Sequence, residues 1–161
     1  MPRPKNDRIV SKPPLYVEFR PVGLSRISLK QIQLTLDEFE ATRLADYNGL
    51  NHEEAADEMN ISRSTFSRLI EAARKKIADF IIHGKLLTID GGNIHFKNNI
   101  IRCVDCGYMF KINIGSPLTN CPDCDSTNLL NLAGSFGHGR CCVNANQNRG
   151  GIHARKRQNR T

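Results

Sequence analysis

The chain has 161 residues, enough for one ordinary domain or two small ones, and its 39% hydrophobic and 24% charged residues place it among globular chains rather than fibrous or low-complexity ones. A formal net charge of +7 favours a polyanionic partner such as nucleic acid. No apolar h-region opens the chain and runs such as Phe80-Ile81-Ile82 are far too short to span a bilayer, so a cytoplasmic protein is expected.

The charges are partitioned along the chain. Residues 1–34 hold seven basic and two acidic side chains and are read as a basic N-terminal segment, whereas residues 35–60 hold eight acids against the single Arg43. The first helix opens at "LTLDEFEATRLADYNG". Thr35 is positioned to cap it, Glu38 completes a capping box, and Leu34 with Phe39 can form a hydrophobic staple. Asn48-Gly49 supplies the stop, because both residues tolerate the left-handed conformation. Asn51 then caps a second helix with Glu54 at the box position, and the acids Asp37, Glu38, Glu53 and Glu54 all favour positive helix ends.

"MNIS" follows the second helix: Asn60 can take a left-handed turn, Ile61 can plug the core and Ser62 can cap a third helix. Phe66, Leu69, Ile70, Ala73 and Ile77 recur at helical spacing, leaving Ser64, Ser67, Arg68, Glu71 and Lys75 on the opposite face. Gly84 ends this helix, and "LLTIDGGNIHF" reads as a short β-hairpin turning at Asp90-Gly91-Gly92.

Two helices joined by a tight turn, the second with an outward basic face, form the pattern of a helix-turn-helix whose second helix enters the major groove. The acids before it and the cations within it then divide the work of support and contact. Arg63, Ser64, Ser67 and Arg68 lie at the N-terminal end of the recognition helix (about Ser62 to Ile82), where side chains reach base edges; Arg74, Lys75 and Lys76 suit phosphates. An ordinary three-helix bundle with a basic exterior is the plainer alternative.

"MPRPK" together with "TLDEFEATRLADYNGLNHEEAADEMNISRSTFSRLIEAARKKIADFIIHGKLLTIDGG" resembles an uncharacterised prokaryotic family of small predicted DNA-binding proteins whose helix-turn-helix is similar to region four of sigma factors. The resemblance spans roughly residues 1 to 97 and implies a recognition helix beginning near Ser62. Asn60 departs from the Gly usual in such turns, and Asn is the next most tolerant residue there.

Cys103-Val104-Asp105-Cys106 and Cys121-Pro122-Asp123-Cys124 form two C-x2-C pairs with fourteen residues between them. In a reducing compartment such cysteines are metal ligands rather than disulfides, and four thiolates satisfy a closed tetrahedral site. "GYMFKINIGSPLTN" can supply the hairpin of a zinc ribbon over residues 98–132. Zinc is the expected metal. Iron is the alternative, because "CVDCGYMF" with "CPDC" also resembles rubredoxin-like modules.

Residues 133–161 form a Gly/Asn/Arg-rich tail without Asp or Glu, read as a disordered basic arm. Within it Cys141-Cys142, with His138, are free thiols or a redox or metal sensor, because adjacent cysteines serve one tetrahedral ion poorly.

The expected architecture is therefore mainly α: a three-helix helix-turn-helix domain over residues 35–97 with a short β-hairpin, then a small β ribbon and the tail. The expected function is a sequence-specific regulator binding double-stranded DNA, with Phe80, Ile81 and Ile82 as the candidate surface of a homodimer. The alternatives are an adaptor that contacts RNA polymerase or RNA through the ribbon, and an iron-binding redox sensor or electron carrier. No nucleophile and base pairing and no nucleotide loop is evident, so an enzyme is not expected.

Overall fold

The computed structural model describes residues 7–113 and 116–136. The chain divides into two compact units: one runs from Pro14 to Ile94 together with the strand that ends at Val10, and the other comprises Ser11–Pro13 and the chain from His95.

In the first unit the strands β1 (Arg8–Val10), β2 (Glu18–Phe19) and β3 (Gln31–Leu34) precede the helices α1 (Leu36–Thr42), α2 (His52–Glu58) and α3 (Arg63–His83). A π-helical turn, Arg43–Tyr47, continues α1, and β4 (Leu86–Ile89) follows α3. The caps fall where the sequence places them. Glu38 accepts from the Thr35 N–H at 2.9 Å, Asn51 Oδ1 accepts from the N–H groups of Glu53 and Glu54, and Ser62 Oγ accepts from the Thr65 N–H at 3.2 Å. Asn60 adopts φ 54° in the turn before α3, and Gly84 closes that helix at φ 59°.

The mainly α expectation is overturned. The segment of residues 1–34 supplies strands, and β4 lies at the centre of a three-stranded sheet, antiparallel to β2 and parallel to β3. Gln31 pairs with Leu86 and Leu34 with Ile89, so the three helices form the crossover between two parallel strands and the unit is α+β. The expected hairpin at Asp90-Gly91-Gly92 is absent for the same reason: β4 spends both edges on β2 and β3, and β5 (Ile94–Phe96) belongs to another sheet. Gly91 and Gly92 still turn the chain, at φ 76° and 96°. A side chain on Gly92 would meet Asp37 Oδ1 at 2.9 Å.

Phe66, Leu69, Ile70 and Ala73 of α3 are buried, as are Ala55, Ala56 and Met59 of the second helix and its cap, Leu36, Ala41 and Leu44, and Leu86, Leu87 and Ile89 of β4, and α3 packs against α1, α2 and β3. This is the apolar face read from the helical spacing. Buried with it is an unusual share of acid. Glu40 is fully buried and grips Arg43 through two bonds of 2.8 and 2.7 Å; Glu38 meets Lys76 at 2.7 Å; Asp37 is bonded to Arg8. Carboxylates removed from water need such partners, since an unpaired buried charge costs several kcal/mol. Among the described residues, no helix is long and apolar enough to cross a membrane.

In the second unit β6 (Asn99–Cys103) is the central strand, antiparallel to β7 (Met109–Ile112) on one side and β8 (Leu129–Asn131) on the other. Its buried apolar set is short: Phe96, Ile100, Ile101, Leu132 and Ala133, with Cys103 and Cys121. The amide of Asn99 fastens β6 to the end of the sheet, accepting from the Ala133 N–H at 2.9 Å and donating to Asn131. His138, Cys141, Cys142 and the expected basic arm beyond Phe136 lie outside the described residues.

Candidate metal centre and candidate nucleic-acid interface

The two C-x2-C segments fold into the same backbone loop. In the first, Gly107 N–H donates to Cys103 O at 3.0 Å and Cys103 N–H donates to Tyr108 O at 2.8 Å. In the second, Asp125 N–H donates to Cys121 O at 2.9 Å and Cys121 N–H donates to Ser126 O at 2.8 Å. Each loop closes on a left-handed residue, Gly107 at φ 77° and Asp125 at φ 59°. Asp is one of the few side chains that tolerate this region, which explains how "CGY" and "CDS" take one conformation.

These loops bring the four sulfurs together. Cys103 Sγ lies 3.6 Å from Cys124 Sγ, Cys106 Sγ lies 3.7 Å from Cys121 Sγ, and all four fall within 4.8 Å of one another. A tetrahedral ion about 2.3 Å from each sulfur requires sulfurs roughly 3.8 Å apart, so the set fits a tetrathiolate ion with little adjustment. The four ligands expected from the spacing are thus one cluster.

The local field favours thiolate at one position and resists four at once. Backbone N–H groups of Cys106 and Asp105 donate to Cys103 Sγ and hold its pKa down to about 7. Cys106 receives a bond from the Tyr108 N–H, yet desolvation and the three neighbouring sulfurs push it up to about 12. Four negative sulfurs at this separation repel one another strongly, and a divalent cation removes that repulsion. Asp105, which the sequence did not single out, ties the loops together: it accepts from the Ser126 hydroxyl and, at 3.0 Å, from Asn128 Nδ2. Those two bonds hold its carboxyl below the ordinary carboxylate range.

The seven residues expected to touch DNA divide into two groups. Ser67 is half-buried against α2, its hydroxyl 2.9 Å from His52 Nδ1, and His52 also packs edge-on to Phe66 at 5.4 Å. Arg74 grips Asp46 in the π turn through Nε at 3.2 Å and Nη2 at 2.6 Å, and Lys76 is held by Glu38. The Asp46 carboxyl is lowered from its ordinary value chiefly by that bond from Arg74. These three side chains are joined to the scaffold. Arg63, Ser64, Arg68 and Lys75 are exposed; among the described residues the three cations of this group form no ion pair or side-chain hydrogen bond, and Ser64 meets only the Ser62 hydroxyl at 3.1 Å. Glu71 is exposed on the same side, and Ile81 and Ile82 stand in solvent at the far end of α3.

The sign change between the first helices and α3 therefore has a nearer cause than support against contact. Acids of α1 and the π turn are the internal partners of Arg8, Arg43, Arg74 and Lys76. Sequence gave no register for these pairs, because Asp46 and Arg74 lie 28 residues apart and Glu38 and Lys76 lie 38 apart.

Residues 1–97 match the family described as "Protein of unknown function DUF134". A protein of Chloroherpeton thalassium described as a UPF0251 protein is 48% identical over 132 residues, covering 82% of this chain and 87% of the relative. The chain belongs to the DUF134/UPF0251 family. Further UPF0251 proteins match it at 40% over 146 residues in Caldicellulosiruptor saccharolyticus, covering 87% of this chain and 99% of the relative, and at 39% over 145 residues in Chlorobaculum tepidum, covering 87% and 74%. No solved structure matches the chain significantly. The DUF134 match ends at residue 97, short of the cysteine cluster, whereas the UPF0251 alignments are too long to be confined to those residues.

Proposed function

We propose that the first unit is a sequence-reading DNA-binding module and the second a structural metal ribbon, together acting in transcriptional regulation. The observation that carries the first half is the division of cations on α3. Arg74 and Lys76 are held by scaffold acids, while Arg63, Arg68 and Lys75 are exposed and, among the described residues, unpaired along a helix capped by Ser62 after the left-handed Asn60. A protein with internal acids at hand for some cations but not for these leaves them for an external anion. Exposed positions in the first three turns suit base edges, and Lys75 further along suits a phosphate. Enrichment of bound sequences from random duplex DNA tests this reading; failure to enrich any sequence at low salt would end it.

For the second half, the matched loops and sulfur separations support one tetrathiolate ion per chain, held by Cys103, Cys106, Cys121 and Cys124. With every position taken by sulfur no site is left for a reacting water, so the ion's contribution is folding free energy. We assign zinc, with iron as the alternative: metal analysis of protein purified without added metal decides, because an iron tetrathiolate absorbs visible light and zinc does not.

A further inference from the structure

Along the exposed face of α3 the residues Ser64, Arg68, Glu71 and Lys75 fall within an arc of roughly 60° at 3.6 residues per turn. Glu71 is the only acid of that stripe, three residues after Arg68 and four before Lys75. Those are the spacings at which a helix forms ion pairs. Yet among the described residues Glu71 makes no ion pair or side-chain hydrogen bond, and Arg74, a cation that feels its charge, is already bound to Asp46. A carboxylate on a face that meets a polyanion is repelled by every phosphate. It is favourable only where it meets a donor, and in the major groove the donors are the exocyclic amines of the bases.

We propose that Glu71 is a specificity-determining residue that accepts a hydrogen bond from the N4 amine of a cytosine; this rests on the reading of α3 as the recognition helix. Cytosine is chosen over adenine by chemistry. Beside its N6 amine adenine presents the acceptor N7, which repels a carboxylate, whereas cytosine has no acceptor beside N4 on that edge. Arg68 sets the neighbouring base. Three residues of helix advance about 4.5 Å, a little more than one base-pair step of about 3.4 Å, so Arg68 reads a guanine in an adjacent pair. The negative charge also works against random binding, because it weakens attraction to phosphates wherever the amine is missing.

The test is parallel selection from random duplex DNA with the full chain and its Glu71→Gln and Arg68→Ala variants. Both positions are exposed, so metal content and thermal unfolding should match the parent and certify the fold. The parent should enrich a site with a cytosine beside a guanine. Glu71→Gln should change that cytosine to adenine, since an amide can pair with both N6 and N7, with a shift in base preference of about tenfold. It should also bind random duplex more tightly. Arg68→Ala should lose the guanine and keep the cytosine. An unchanged site for Glu71→Gln, with a parent that does select a sequence, overturns the role of Glu71 alone. A parent that selects nothing overturns the DNA reading and this assignment with it.

Discussion

The two units are stabilised by different physics. The first buries a continuous apolar set from α1, α2, α3 and β4 and adds buried ion pairs; the second buries a handful of apolar side chains around four sulfurs. An ordinary core distributes its free energy over many contacts, so one lost side chain weakens it without dissolving it. A ribbon concentrates it in one ion, so one lost ligand removes most of it.

The largest effect that can break this contrast is removal of the ion. Cys121→Ser, or a strong chelator, should abolish stoichiometric metal and the order of β6, β7 and β8, measured by metal analysis and amide hydrogen exchange. The helices of the first unit should keep their circular dichroism and melting transition. Melting of both units together would show that the metal stabilises the whole chain. The reciprocal experiment is Phe66→Ala. Phe66 is fully buried, and its truncation should cost about 3–5 kcal/mol in denaturant unfolding of the first unit. Metal content should stay at one ion per chain.

What was legible in sequence follows the same divide between local and distant. Caps at Asn51 and Ser62, the turn at Asn60 and the C-x2-C loops are set within a few residues, and each is found where the sequence puts it. The sheet of the first unit was not legible. Its register joins residues 31–34 to 86–89 across three helices, and "QIQL" reads only as the end of a basic N-terminal segment until β4 lies beside it. The pull of Asp90-Gly91-Gly92 toward a hairpin was real turn chemistry overridden by pairing of β4 with β2 and β3. At the metal centre the ligands were legible, but the tie from Asp105 to Ser126 and Asn128 was not, since nothing local marks Asp105 as different from Asp123. On α3 the outward face was legible, while the capture of Ser67, Arg74 and Lys76 by His52, Asp46 and Glu38 depends on tertiary packing.

Acid should separate the units more gently. Metal-bound thiolates must take up protons to release the ion, and the backbone N–H groups of Cys106 and Asp105 hold the Cys103 thiol down only to about 7. Lowering pH toward about 5 should therefore release metal and unfold the ribbon. The Asp46–Arg74 pair is lost in the same direction but at lower pH: the folded carboxyl is depressed below its unfolded value of about 3.9, so its contribution is complete above that pH and fades as pH falls from there through the lower folded value. A titration followed by metal release and by helical signal should give two separate transitions, the metal first. A single joint transition would contradict the independence of the two stabilising mechanisms.

The smallest expected effect tests the division of cations on α3. Arg74 and Asp46 are both substantially solvent-exposed, so their two-bond pair is worth at most about 1 kcal/mol after screening. Arg74→Ala should lower the urea midpoint of the first unit by that small amount and leave any selected DNA sequence unchanged. Arg68→Ala should leave the midpoint alone and alter the sequence. A double-mutant cycle with Asp46→Ala isolates the pair: the double variant should be no less stable than Arg74→Ala alone, because either change removes the same interaction. Additive losses from the two substitutions would mean that Arg74 acts elsewhere. A changed sequence preference in Arg74→Ala would return it to the set of DNA contacts and show that a scaffold acid can release its cation when a phosphate competes.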